Sequence, residues 1–138
     1  MIIRKAKLSD CKECQLLSNS PELLNPDGSL PKIEWFRNQI KQKQILFVAE
    51  DNKKIIGYIL GDYLAGEVVI IHFIIVKKEY QNKGIGKKLL KKVEDISKKK
   101  RRKVIVLYGY AKSKKTVSFF EKNKYKKGNL YYEFMKFI

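Results

Sequence analysis

Histidine, cysteine and acidic side chains are all scarce in this chain, and each scarcity narrows what it can do. It has one histidine, His72, and two cysteines, Cys11 and Cys14. A lone C-x-x-C with a single imidazole leaves a tetrahedral zinc site short of ligands. No metal site is expected, and the cysteines read as two small residues on a first helix. No apolar run approaches the roughly 18 residues of a membrane span. The start, Met1-Ile2-Ile3-Arg4-Lys5, has no long apolar region behind it of the kind a signal peptide carries. The expectation is a cytoplasmic protein without a membrane partner. All three prolines, Pro21, Pro26 and Pro31, fall in one stretch. That makes 21–31 the most irregular part of the chain, a loop or broken helix suited to lining a substrate mouth.

Acids number 14 against 31 Lys and Arg, a net charge of +17. Such a field attracts anions, whether nucleic acid, an acidic protein face or a polyphosphate ligand. Lysine outnumbers arginine, which argues against bidentate reading of bases. At 138 residues with 44% apolar content, the chain makes one domain, 1–138. A chain of that size buries roughly two-thirds of its unfolded surface and needs no staples.

Hydrophobic spacing then orders the elements. Ile2 to Ala6 reads as a short strand, and Ser9-Asp10 offers capping oxygens for a helix over about 9–18. A second helix follows Pro31, with Ile33, Phe36, Arg37 and Ile40 on one face. Residues 45–49 and 54–61 form two strands around a turn at Glu50-Asp51-Asn52-Lys53, with Gly57 marking a bulge or close packing. Residues 68–76 are a long apolar strand. A helix over about 84–100 buries Ile85, Leu89, Leu90, Val93 and Ile96. A strand at 104–108, a helix capped by Ser113, a short extended piece at 125–127 and a terminal aromatic strand at 130–138 complete the chain. The order β-α-α-β-β-β-α-β-α-β-β describes a mixed α+β fold. Its sheet is mostly antiparallel, with a parallel, right-handed βαβ unit at the centre.

Chemistry concentrates where strand 68–76 meets the following helix. Gly84 and Gly86 let the chain turn tightly and expose main-chain amides at a helix start, which carries about half a positive charge. Pyrophosphate fits such a cradle. A Walker loop is absent, and G-x-G-x-x-G fails because Leu89 stands at its third glycine. The pattern that fits is Gln81-x-x-Gly84-x-Gly86 after a strand ending in Val76.

Set in this context, the sequence resembles the GCN5-related N-acetyltransferase (GNAT) family over nearly its whole length. The resemblance includes Val48-Ala49-Glu50, Ile56-Gly57-Tyr58 and Phe119-Phe120-Glu121-Lys122-Asn123-Lys124-Tyr125. It implies an acetyltransferase binding acetyl-CoA at a splay between strands 68–76 and 104–108. Main-chain groups of Ile74 and Val76 would hold the pantetheine arm. The amides of Gln81, Asn82, Lys83, Gly84, Ile85, Gly86 and Lys87 would hold the pyrophosphate, and Ser113 stands where the family often has asparagine. The acceptor would be an amine of a small molecule or a protein, attacking directly in a ternary complex, with the enzyme a monomer or homodimer.

The resemblance breaks at Phe120, where the family commonly carries a tyrosine as general acid, and at Thr116, where it has alanine. Proton transfer therefore needs substitutes. Tyr108 closes strand 104–108 where some members place a base. His72 lies in the strand beside the splay, with an imidazole suited to proton traffic. Tyr110 and Glu67 are further candidates. Two other readings stand beside this one: an acyl-CoA-binding or regulatory module that has lost catalysis, and a basic nucleic-acid-binding protein. The run Lys98–Lys103 suits the second but also suits a solvated helix end, and the aromatics fall at core spacing rather than among the basic residues. A nucleic-acid partner is accordingly not expected.

Overall fold

The computed structural model describes residues 1–138. Its contacts divide them into two compact units, Met1–Tyr108 and Gly109–Ile138. No helix is long and apolar enough to cross a membrane.

The first unit is built on a five-stranded sheet in sequence order: β1 (Ile2–Lys5), β2 (Ile45–Asp51), β3 (Lys54–Tyr63), β4 (Val68–Val76) and β5 (Val104–Leu107). The first four strands pair antiparallel, and β4 pairs parallel with β5. Between β1 and β2 lie a 3-10 turn (Leu8–Asp10), α1 (Cys11–Leu17) and α2 (Ile33–Lys41), and α3 (Ile85–Lys99) links β4 to β5.

Side chains alternate along a strand, so β2 and β3 feed two cores. Leu46, Val48, Tyr58 and Leu60 pack with Cys11 and Cys14 of α1 and Phe36 of α2. The opposite parity, Ile45, Phe47, Ala49 and Ile59, is also buried, as is Ile56. Lys92 of α3 lies over the Phe47 ring, and the apolar stripe Ile85, Leu89, Leu90 and Val93 is buried on that helix. Cys11 and Cys14 are fully buried and unpaired. Burial pushes both thiols up, away from thiolate chemistry.

Both β-bulges fall beside glycines. One lies where Ala49 pairs Gly57 but Glu50 pairs Ile55, leaving Ile56 extra. The other lies where Leu60 pairs Phe73 but Gly61 pairs Ile71, leaving His72 extra. The basic run after α3 folds back on the β3–β4 hairpin. Lys100 and Arg102 each lie over the Tyr63 ring, at 5.0 and 5.1 Å, and Arg102 donates to the Leu64 carbonyl at 2.6 Å.

The second unit holds α4 (Lys114–Lys122). Ser113 caps it, accepting from the Thr116 N–H at 3.3 Å and donating to Thr116 Oγ1 at 2.9 Å. The strands expected at 125–127 and 130–138 are not formed. Leu130, Tyr131, Tyr132, Phe134, Met135, Phe137 and Ile138 are all exposed, on both parities. Apolar groups on both parities do not define one face to bury, so the pattern specifies no strand register.

Candidate active site

The ladder between β4 and β5 ends at the pair Ile71–Leu107. Beyond it, β4 runs on from His72 to Val76 with β3 on one side and no β5 partner on the other. Burial tracks this change: Val69 and Ile71 are buried, whereas Phe73 to Val76 are only partly so. The result is an unpaired stretch of β4, at the place where the splay is expected. Ile74 and Val76 lie on its open edge, and His72 and Tyr108 each stand one residue past the last paired position.

The bulge aims His72. Regular alternation sends neighbouring strand residues to opposite faces, and an extra residue breaks that rule. His72 and Phe73 both reach Trp35 of α2, with ring centroids 5.9 and 5.0 Å away. The His72 Nε2 lies 2.8 Å from Asp62 Oδ2. Asp62 is held in turn by the Gln39 side-chain amide, which donates to Asp62 Oδ1 at 2.8 Å and to the Gly61 carbonyl at 2.7 Å.

From Val76 the chain enters a 3-10 turn (Lys78–Tyr80) and then the glycine pair. The Gln81 side chain donates to the Val76 carbonyl at 2.9 Å, bracing the turn against the strand end. Asn82 and Gly84 both take positive φ, 60° and 78°. Gly84 is the N-cap of α3 in the left-handed region, and a Cβ there would meet nothing within 4 Å. Conformation, not crowding, calls for glycine. No side chain caps α3 and its first turn carries no acid. The free amides of Ile85, Gly86 and Lys87 thus keep their partial positive charge for an external anion. Lys83 lies over the Tyr80 ring at 5.4 Å, and with Lys88 it lines a recess of about 270 Å³ together with Met1, Asp51, Ile56, Tyr80 and Ile85. This uncapped, acid-free helix start fits a diphosphate.

Glu67 lies at the opposite end of β4, about 16 Å along the strand from His72 at 3.3 Å per residue. Its carbonyl accepts the Lys103 N–H. Tyr108 is exposed. In the second unit, Tyr110 is exposed, Ser113 is engaged in its cap, and Phe120 packs its ring against Phe119 and Tyr125. Sequence reasoning missed Asp62 and Gln39. Their signal was weak: an acid near the end of an apolar strand, and a glutamine on the inner side of an amphipathic helix.

Comparisons with known proteins give the family and the fold. The family model described as Acetyltransferase (GNAT) family matches residues 12–125. No curated protein matches in sequence. Among solved structures, an aminoglycoside acetyltransferase from an uncultured soil metagenomic sample aligns at TM-score 0.83 and 18% identity, covering 99% of this chain and 95% of that one. Ribosomal-protein-alanine N-acetyltransferase from Brucella melitensis aligns at 0.75 and 17%, covering 88% and 82%. PaiA N-acetyltransferase from Thermoplasma acidophilum, solved with coenzyme A, aligns at 0.67 and 24%, covering 88% and 87%. A family match over most of the chain makes this protein a member of the GNAT family of acetyltransferases.

Proposed function

We propose that the protein moves the acetyl group of acetyl-CoA to a primary amine of a small molecule or a protein, by direct attack in a ternary complex. The observation that carries this reading is the continuity of β4. Its unpaired edge from His72 to Val76, about 13 Å of strand, continues through one 3-10 turn and the glycine turn to the uncapped start of α3. One end of that line offers a group for proton transfer, the middle offers main-chain partners for an amide-bearing arm, and the far end offers amides for a diphosphate.

The chemistry asks three things of the chain. The attacking amine must lose a proton, and His72 at the bulge is the group assigned to take it. The thioester oxygen gains charge as the tetrahedral intermediate forms, and a strand N–H at the splay stabilises it. The thiolate leaves, and Tyr108, just past β5, is the hydroxyl assigned to meet it. Phe120 then has no proton to supply, and its lost hydroxyl is no obstacle. Acceptors of both kinds occur among the neighbours, an aminoglycoside and a ribosomal-protein alanine.

The test is thiol release from acetyl-CoA with a panel of amines and peptides. Release with at least one acceptor is expected. His72→Ala should lower kcat about 100-fold, and Tyr108→Phe at least about tenfold. Stabilisation by acetyl-CoA on heating without release for any acceptor would instead favour an acyl-CoA-binding module. A salt-dependent gel shift with DNA or RNA, with no such stabilisation, would favour a nucleic-acid binder.

A further inference from the structure

The contacts behind His72 form a directional chain. Gln39 is only 4% exposed and bridges two oxygens, the Gly61 carbonyl and Asp62 Oδ1, at 2.7 and 2.8 Å. A carbonyl and a carboxylate can only accept. The Gln39 atom between them is therefore its NH₂ group, and the amide has one possible orientation. With one oxygen of Asp62 fixed this way, the other faces His72 Nε2 at 2.8 Å. A carboxylate accepts, so Nε2 must carry the hydrogen. In a neutral imidazole the lone pair then sits on Nδ1. Trp35 packs beside the ring at 5.9 Å and limits its rotation.

We propose that Asp62 and Gln39 are positioning residues that lock His72 as its Nε2–H tautomer and make Nδ1 the atom that receives the acceptor's proton. This rests on the N-acetyltransferase reading above. In the step, the amine nitrogen bonds to the thioester carbon, the C–S bond breaks with its electron pair leaving on sulfur, and the amine proton passes to Nδ1. The resulting imidazolium shares its Nε2–H with the Asp62 carboxylate, which offsets the new charge at the moment it forms. Neither positioning residue touches the reacting atoms. They act by fixing which nitrogen is basic and where it points. The bulge belongs to the same device, because it sets His72 on the face that carries Asp62, Gln39 and Trp35.

His72 is the only histidine in the chain, so its ring nitrogens can be read without assignment in a ¹H–¹⁵N long-range correlation spectrum. In alkaline buffer, wild-type protein should show a protonated Nε2 and a lone-pair Nδ1. Asp62→Asn keeps the shape but presents an NH₂ to Nε2 once its oxygen accepts from Gln39. The proton should then move to Nδ1 and kcat should fall on the order of 100-fold, while KM for acetyl-CoA stays within about twofold, a sign that the fold and the diphosphate cradle persist. Gln39→Leu should give a mixture of tautomers and an intermediate loss. A wild-type spectrum with the hydrogen on Nδ1 overturns the proposal. So does an Asp62→Asn protein whose tautomer switches while turnover is unchanged, and in that case the acetyltransferase reading still stands. If wild-type protein releases no thiol with any amine, the acetyltransferase reading fails, and the proton step fails with it whatever tautomer the spectrum shows.

Discussion

Arg4 shows how single side chains fasten the frame on which the site depends. Its guanidinium spans two carboxylates, Asp10 at 2.7 and 3.1 Å and Glu50 at 3.0 and 3.4 Å, tying the turn before α1 to β1 and β2. Asp10 also accepts the Lys7 N–H at 2.7 Å. Burial of Asp10 works against its charge, but the bonds from Arg4 and Lys7 outweigh it and hold its carboxyl below the usual range. A carboxylate whose folded pKa is depressed contributes stability that is present above its unfolded value, near 4, and lost as pH falls through the folded one. Asp10→Asn should therefore cost about 1–3 kcal/mol in urea unfolding near pH 7, and the gap to wild type should narrow steadily in acid below about pH 4. A gap that stays constant into acid would show that the carboxylate charge is not what the pair contributes. The same scale explains which residues were legible. Gln81, Gly84 and Gly86 sit in one short pattern, so their spacing is visible in the chain. Asp62 and Gln39 are not, because their roles arise only when residues 10 and 23 positions apart meet across β3, β4 and α2.

Elements were read well where one face repeats. The β4 boundaries and most of the α3 stripe follow from apolar spacing alone, although Ile96, expected in that stripe, is only partly buried and Ser97 is buried instead, and α1 and α2 differ from expectation only at their ends. Two features escaped. The bulge at His72 leaves no mark in an all-apolar strand, because every residue of Val68–Val76 suits either face except His72 itself. The strands expected at 125–127 and 130–138 were inferred from aromatic content, but Tyr131-Tyr132 and Phe134-Met135 are adjacent apolar pairs, which do not define one buried face. The bulge also gives a test at the scale of the sheet. Gly61 lies beside it, and a Cβ there would collide with the Ile70 main-chain oxygen. A backbone atom of a central strand has little room to yield. Gly61→Ala should therefore destabilise by about 1–3 kcal/mol, as an overpacked core position does. It should also lower kcat more than KM for acetyl-CoA, since the shift falls at His72 and not at the diphosphate cradle. A stable Gly61→Ala protein with unaltered kcat would show that the site tolerates movement of the bulge.

Charge acts over the whole molecule. An excess of 17 positive charges on 138 residues surrounds the proposed diphosphate cradle, which has no acid in its helix turn and lysines at 83, 87 and 88. Such a field draws an anionic cosubstrate from a distance and raises its encounter rate. The screening length shrinks from about 10 Å at 0.1 M salt to about 3 Å at 1 M, so this contribution is removable without touching a residue. KM for acetyl-CoA should rise several-fold over that range, with kcat nearly constant, because the proton-transfer groups work at hydrogen-bond distance. The acceptor carries independent information. The same field repels a polycationic amine and attracts an amine set among acidic groups. For a cationic acceptor, added salt should lower its KM, and for an acidic peptide it should raise it. Acetylation rates measured on one cationic and one acidic acceptor, at low and high salt, separate the two effects. If both acceptors and acetyl-CoA respond to salt with the same sign and size, the cause is general loss of activity and not the field. If the signs split as charge requires, the basic surface is a selector of acceptors as well as an attractor of cosubstrate, and acceptors that carry their amine beside anionic groups become the class to screen first.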